Sequence, residues 1–343
     1  VYAAVTGAVI AGVMAIVHLS VKDRRLVAQL KQEAGELQKS AIPVSDILKE
    51  VLYFSIPYVI ISFLGNSFSV VNLFLFNRVM FLIIDGEEQV KLLFTMIMFT
   101  TSKLTSIPQV LALGFSAAVI PYISEAIMIA DRRLIKKNIY DAIETVLYFA
   151  MPLSAGLFFF AFPIYYLFYF ENAMLGGEVL RYAAFGGVFL ALSPVVTTIM
   201  LTVRLRRQVI WVLALGFLIK LISMYPLMLW IGYGGAILST YLSSLVIISV
   251  NLYLLSKQYG LRYRGILRRL LFMFLGIMVS GIVYYASIWM GVPYLEVPRW
   301  ITLLYLALFG GLSMFVYFAI TWLFLIPQTI FNVRHPMDII RKR

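Results

Sequence analysis

Apolar residues run through this chain in long blocks separated by short polar connections. Nine blocks, 1–20, 52–84, 90–126, 143–170, 178–203, 209–232, 235–256, 266–292 and 300–326, are each about long enough to cross a membrane. A hydrocarbon core of about 30 Å takes a helix of about 20 residues. The blocks are apolar on every side, whereas a transmembrane strand alternates over about ten residues. The pattern predicts an all-α, polytopic membrane bundle of about nine transmembrane helices. Blocks 52–84 and 90–126 exceed one crossing and contain Pro57 and Pro108. They must tilt, bend or project beyond the bilayer.

The connections alternate in charge. Lys22, Arg24, Arg25, Lys31, Lys39 and Lys49 lie in the first, and Arg132, Arg133, Lys136 and Lys137 in the third. Arg204, Arg206 and Arg207 follow in the fifth, then Lys257, Arg262, Arg264, Arg268 and Arg269 in the seventh; Arg334, Arg341, Lys342 and Arg343 end the chain. The connections between them hold almost no Lys or Arg. By the positive-inside rule the basic face is cytoplasmic, which puts the start of the chain outside and the C-terminus inside. Val1 opens inside an apolar block with no basic region before it and no small-residue cleavage site after it, unlike a signal peptide. The expectation is therefore a fragment whose preceding spans, odd in number, lie upstream.

Composition removes other classes. Of 343 residues, 62% are hydrophobic and 13% charged, with mean hydropathy +0.94; a soluble domain is nearer half apolar and a quarter charged. The absence of cysteine and the presence of only His18 and His335 exclude a disulfide framework and leave no basis for a Cys- or His-built metal site. No cofactor is expected. The net charge of +12 is accounted for by orientation, so nucleic acid is not expected as a partner. No catalytic constellation, phosphate-binding glycine loop or carboxylate pair at membrane depth is present, and an enzyme is not expected.

Six basic residues fall off the basic face: Arg78, Lys91, Lys103, Arg181, Lys220 and Arg299. Lys91, Arg181 and Arg299 sit near span ends, where long side chains reach the interface. Arg78 is about 10 Å in from the outer end of its span, and Lys103 about 20 Å along its own. Lys103 lies in the polar stretch Thr100-Thr101-Ser102-Lys103-Leu104-Thr105-Ser106, followed by Pro108 and Gln109. A lysine there either snorkels from a helix that projects beyond the bilayer or lines a wet cavity facing an anion. Lys220, midway along its span among apolar neighbours, is either cavity-facing or structural. Asn66, Ser67, Ser69 and Asn72 suit a cavity wall or helix–helix hydrogen bonds, the structural reading being the favoured one for any single residue. Gly114, Ala117, Ala118, Gly186-Gly187 and Gly310-Gly311 are expected at close helix contacts, and residues 125–144 as an amphipathic helix on the cytoplasmic surface.

The stretch Ile107-Pro108-Gln109-Val110-Leu111-Ala112-Leu113-Gly114, continuing through Pro121 to Ser124-Glu125-Ala126, resembles a motif of polysaccharide-biosynthesis flippases in the multidrug/oligosaccharidyl-lipid/polysaccharide exporter superfamily. It looks closest to the stage V sporulation protein B and lipid II flippase branch, where the motif lies on the eighth span. Ser55-Ile56-Pro57 is similar to the opening of that family's seventh helix, and Asp131-Arg132-Arg133 with Lys137-Asn138 matches in layout. The resemblance implies the sixth to fourteenth helices of a fourteen-helix, two-lobe fold. Residues 1–20 would end the N-terminal lobe, 21–50 link the lobes, 51–256 form the C-terminal six-helix lobe, and 257–343 hold two extra helices and a tail. The family carries a basic residue, usually arginine, five positions before Pro108; here it is Lys103, which lacks the guanidinium fork. The two extra helices form, in the family, a groove for a polyprenyl tail. The expected function is flipping of a polyprenyl-diphosphate-linked sugar, such as a cell-wall precursor, across a bacterial plasma membrane. Lys103, Arg78, Asn72, Asn66, Gln109 and Lys220 would line its path, and cell-wall synthesis proteins are further partners to expect. A cation-coupled multidrug antiporter and a non-transporting scaffold for cell-wall synthesis are the alternatives.

Overall fold

The computed structural model describes residues 44–331 together with Met14 and His18. The expected span 1–20, nearly all of the 21–50 linker and the basic tail after residue 331 lie outside the described residues. The described chain is a succession of helices: α1 (Val44–Met80), α2 (Glu87–Met128), α3 (Arg132–Phe159), α4 (Ala161–Tyr169), α5 (Ala173–Phe185), α6 (Gly187–Thr202), α7 (Arg206–Ile231), α8 (Tyr233–Tyr259), α9 (Arg264–Trp289), α10 (Arg299–Leu323) and α11 (Ile326–Phe331). Among these residues seven helices are long and apolar enough to cross a bilayer, and α5 with α6 makes an eighth if the bent pair is one span. The protein is a multi-pass, helical membrane protein.

The chain divides into two units, Val1–Ser55 and Ile56–Arg343. In the first, Lys49 and Asp46 form an exposed pair at 3.4 Å. In the second, α3 is the hub. Of its most apolar stretch 72% is buried, against 18% for α2 and 11% for α10, and it packs on α2, α4, α5, α6, α9, α10 and α11. Asp131 caps it, its carboxylate accepting from Arg133 N at 2.8 Å and Leu134 N at 3.0 Å. Those bonds satisfy donors that a helix start leaves free. The extra pair α9–α10 is packed into this same unit: Tyr317 Oη donates to Tyr148 O at 3.1 Å, and Tyr148 and Thr321 hydroxyls meet at 3.3 Å.

Four expectations change. No separate amphipathic helix covers 125–144. From Asp131 the chain enters α3 directly, and Ile135 and Ile139 are buried in the main hydrophobic cluster rather than laid on a surface. The block 143–170 breaks at Phe160 between α3 and α4. The block 178–203 bends by 41° between α5 and α6, at Gly186, where an added Cβ would overlap the Tyr241 ring. Gly114, Gly310 and Gly311 have nothing within 4 Å of such a Cβ, so they face open space and are not packing sites.

Candidate functional site

Lys103 follows a π-helical turn, Met96–Thr101, in the middle of α2. A π turn weakens the regular backbone ladder and needs outside support. Here α4 supplies it: Tyr169 Oη donates to Thr100 O at 3.3 Å, and Tyr165 Oη meets Thr100 Oγ1 at 3.2 Å. The hydroxyls around Lys103 are occupied by their own helix. Ser102 bonds Met98 O at 2.6 Å, Thr105 bonds Thr101 O at 3.1 Å, and Ser106 bonds Lys103 O at 2.7 Å. The polar stretch is therefore largely self-satisfied, and what it presents outward is the Lys103 ammonium. Lys103 is exposed, as are Ile107, Val110, Gly114 and Ala118, which follow at helical spacing on the same face. Gln109, half-buried, lies about 240° round the helix from Lys103 at about 100° per residue.

On α1, Asn66 is exposed but donates to Ser62 O at 2.8 Å. Asn72 is half-buried, with its Oδ1 buried and unpartnered. Arg78 is exposed near the helix end. Phe76 of α1 and Phe94 of α2 meet across the 81–86 turn, ring centroids 5.7 Å apart.

The other four off-face cations are held. Lys91 pairs with Glu87 at 2.5 Å. Arg181 lies over the Phe158 ring at 4.9 Å and donates to Tyr285 Oη at 3.3 Å; Arg299 lies over Phe170 at 4.6 Å. Lys220 is fully buried, its Nζ donating to Ala236 O at 2.8 Å, Ser239 Oγ at 2.9 Å and Thr240 Oγ1 at 2.7 Å. The geometry makes Lys220 a tie between α7 and α8 with all three donors used, not a group on an open wall, which corrects its expected place along a substrate path. Lys103 and Arg78 are left without an ion-pair partner among the described residues.

A groove of about 370 Å³ opens between α3, α4, α9 and α10, lined by apolar groups such as Leu157, Phe160, Leu303 and Leu306. A second π turn, Leu306–Gly310 in α10, forms part of its wall. Ile107 of α2 also lines it, one turn beyond Lys103 on the same face. That juxtaposition of a cation and an apolar groove carried no sequence signal, since Ile107 is one apolar residue among many.

No protein-family model matches the chain. Over 237 residues it is 23% identical to lipid II flippase MurJ of Bacillus subtilis (strain 168), a match covering 68% of this chain and 43% of that protein. Among solved structures, lipid II flippase MurJ in an inward closed conformation is similar with a TM-score of 0.59 at 15% identity, over 84% of this chain and 56% of that one. The chain thus spans about half the length of the relatives it matches. The expected polytopic helical bundle is the fold found, and it is shared with the part of that flippase structure that the chain covers.

Proposed function

We propose that this chain is the C-terminal part of a flippase that carries a polyprenyl-diphosphate-linked saccharide, a lipid II-like cell-wall precursor, from the inner to the outer leaflet. The observation that carries the reading is the cation beside the apolar groove. A lipid-linked diphosphate is amphipathic in the same sense: Lys103 offers a charge to the diphosphate, and the groove that begins at Ile107 takes the prenyl chain. Lys103 is one of two off-face cations with no internal partner among the described residues. The likeness to a lipid II flippase supports the same cargo class. In this reading 51–256 is the C-terminal lobe, 257–343 the extra helices and tail, and the basic connections face the cytoplasm of a bacterial plasma membrane. Transport proceeds by alternating access, two lobes rocking about a central site. Stage V sporulation protein B-like flippases are the branch we favour, on the 107–126 motif.

The test is growth of a flippase-depleted bacterium carrying the full-length gene. Lys103→Ala abolishes rescue at wild-type membrane levels of protein, whereas Lys103→Arg, which keeps the charge, retains it. Normal growth with Lys103→Ala overturns the role given to this cation.

A further inference from the structure

A polar cavity lies where two of the basic connections, those around residues 127–142 and 257–265, come together. It holds about 400 Å³ and is built from the first turns of α3, the 260–263 turn, the start of α9 and Thr329 of α11. Five cations line it, Arg133, Lys136, Lys137, Arg262 and Arg269, against two carboxylates, Asp141 and Glu144. Glu144 is buried and is taken up by Arg269 in an ion pair at the floor. The Arg269 Nε is buried and finds no partner among the described residues. The remaining four cations have no ion-pair partner among the described residues.

The site is also fixed in shape. Tyr140 Oη accepts from Arg262 N at 2.6 Å and lies 3.3 Å from Arg262 O, pinning the α8–α9 turn to α3. Tyr263 packs edge-on to Tyr140 at 6.4 Å and donates to Leu252 O at 2.8 Å. Burial pushes the Tyr263 phenol up from its ordinary range, so it remains a donor at physiological pH. Arg262 on one wall and Lys136 and Lys137 on the other are thereby held around one space. Mutual repulsion among such cations is relieved by an anion with several oxygens, and phosphate suits both guanidinium and ammonium donors. The walls are ends of membrane-spanning helices, so the mouth lies at headgroup level, where basic pockets between helices take anionic lipid headgroups.

We propose that this cavity is a phosphate-anion site, occupied in the membrane by the headgroup of an anionic phospholipid, and that the bound phosphate bridges α3 to α9. It would thereby fasten the extra helix pair to the lobe. The inference uses none of the residues assigned to the transport path and stands apart from that reading.

The test is thermal unfolding of the full chain in a zwitterionic detergent, titrated with dioctanoyl phosphatidylglycerol, dioctanoyl phosphatidylcholine or glycerol phosphate. A ligand that binds only the folded state raises the midpoint with concentration. The expected result is a saturable rise with phosphatidylglycerol and none with phosphatidylcholine. The triple variant Lys136→Gln/Lys137→Gln/Arg262→Gln needs at least tenfold more lipid for the same rise. The control Arg207→Gln/Lys257→Gln, which removes charge from the same face outside the cavity, responds as wild type. If the triple variant does not fold, Lys137→Gln alone, at an exposed position, is expected to need about threefold more. An equal response to glycerol phosphate supports the site and identifies a soluble phosphate as its occupant. A wild-type response from the variants, or an equal response to phosphatidylcholine, overturns it.

Discussion

Lys220 offers a sharp test of what a buried cation contributes. Its Nζ meets Ala236 O, Ser239 Oγ and Thr240 Oγ1 between 2.7 and 2.9 Å, and hydrogen bonds to charged groups are worth about 1.5–3 kcal/mol each. Taking an ammonium out of water costs several kcal/mol in return, so the gross gain and the penalty are of similar size. The acceptors decide the sign. Ser239 Oγ and Thr240 Oγ1 both donate to Ala236 O, at 2.9 and 3.1 Å, so α8 satisfies all three oxygens without the lysine. Lys220→Met keeps the side-chain volume, removes the buried charge and orphans nothing. It should leave stability unchanged or raise it by about 1–4 kcal/mol, as apolar isosteres of buried ion pairs do. Lys220→Ala empties the same space and should fall about 2–5 kcal/mol below the methionine variant. Reversible unfolding in mixed micelles, followed by circular dichroism, measures both. A methionine variant that drops more than about 2 kcal/mol below wild type would refute the reasoning, because the ammonium itself would then be what holds α7 to α8.

Two further substitutions probe the packing around the hub. Gly186→Ala drives a methyl group into the Tyr241 ring, which is anchored by its hydroxyl to Tyr182 O at 2.8 Å and Ala183 O at 2.5 Å. Overpacking of this kind costs about 1–3 kcal/mol; a lowered unfolding midpoint is the expected result, and an unshifted midpoint refutes it. Glu144→Gln leaves Arg269 without its counter-charge. Breaking a fully buried pair costs about 3–5 kcal/mol, but the Arg269 side chain is 29% exposed, so about 1–3 kcal/mol is expected after solvent screening. The double variant Glu144→Leu/Arg269→Met should be more stable than Glu144→Gln in the same unfolding assay.

The spans were legible because a bilayer imposes a length, and an apolar block of that length has few other solutions. The internal joints were not. The bend falls at Gly186, whose Cβ position is taken by the Tyr241 ring, 55 positions further along, and the break at Phe160 falls inside an unbroken apolar block. The π turns in α2 and α10 leave no composition signal either, since the one in α2 is supported by hydroxyls of Tyr165 and Tyr169, some 65 positions away. Residues 125–144 misled for a related reason: the alternation of Ile135 and Ile139 with Arg133 and Lys137 marks a helix with one buried face, and burial against α9 and the lobe has the same period as burial in a membrane surface. Lys220 shows the same limit at a single residue, because its acceptors lie on the next helix.

The sorting of the six off-face cations narrows the candidate path further than their number did. Four are held by a carboxylate, aromatic rings or three oxygens, and each of those contacts accounts for the residue's place in the membrane without any substrate. Two remain, Arg78 and Lys103, with no ion-pair partner among the described residues. Only Lys103 has the apolar groove one turn away, so in the proposed mechanism Lys103 holds the diphosphate while the prenyl chain lies in the groove.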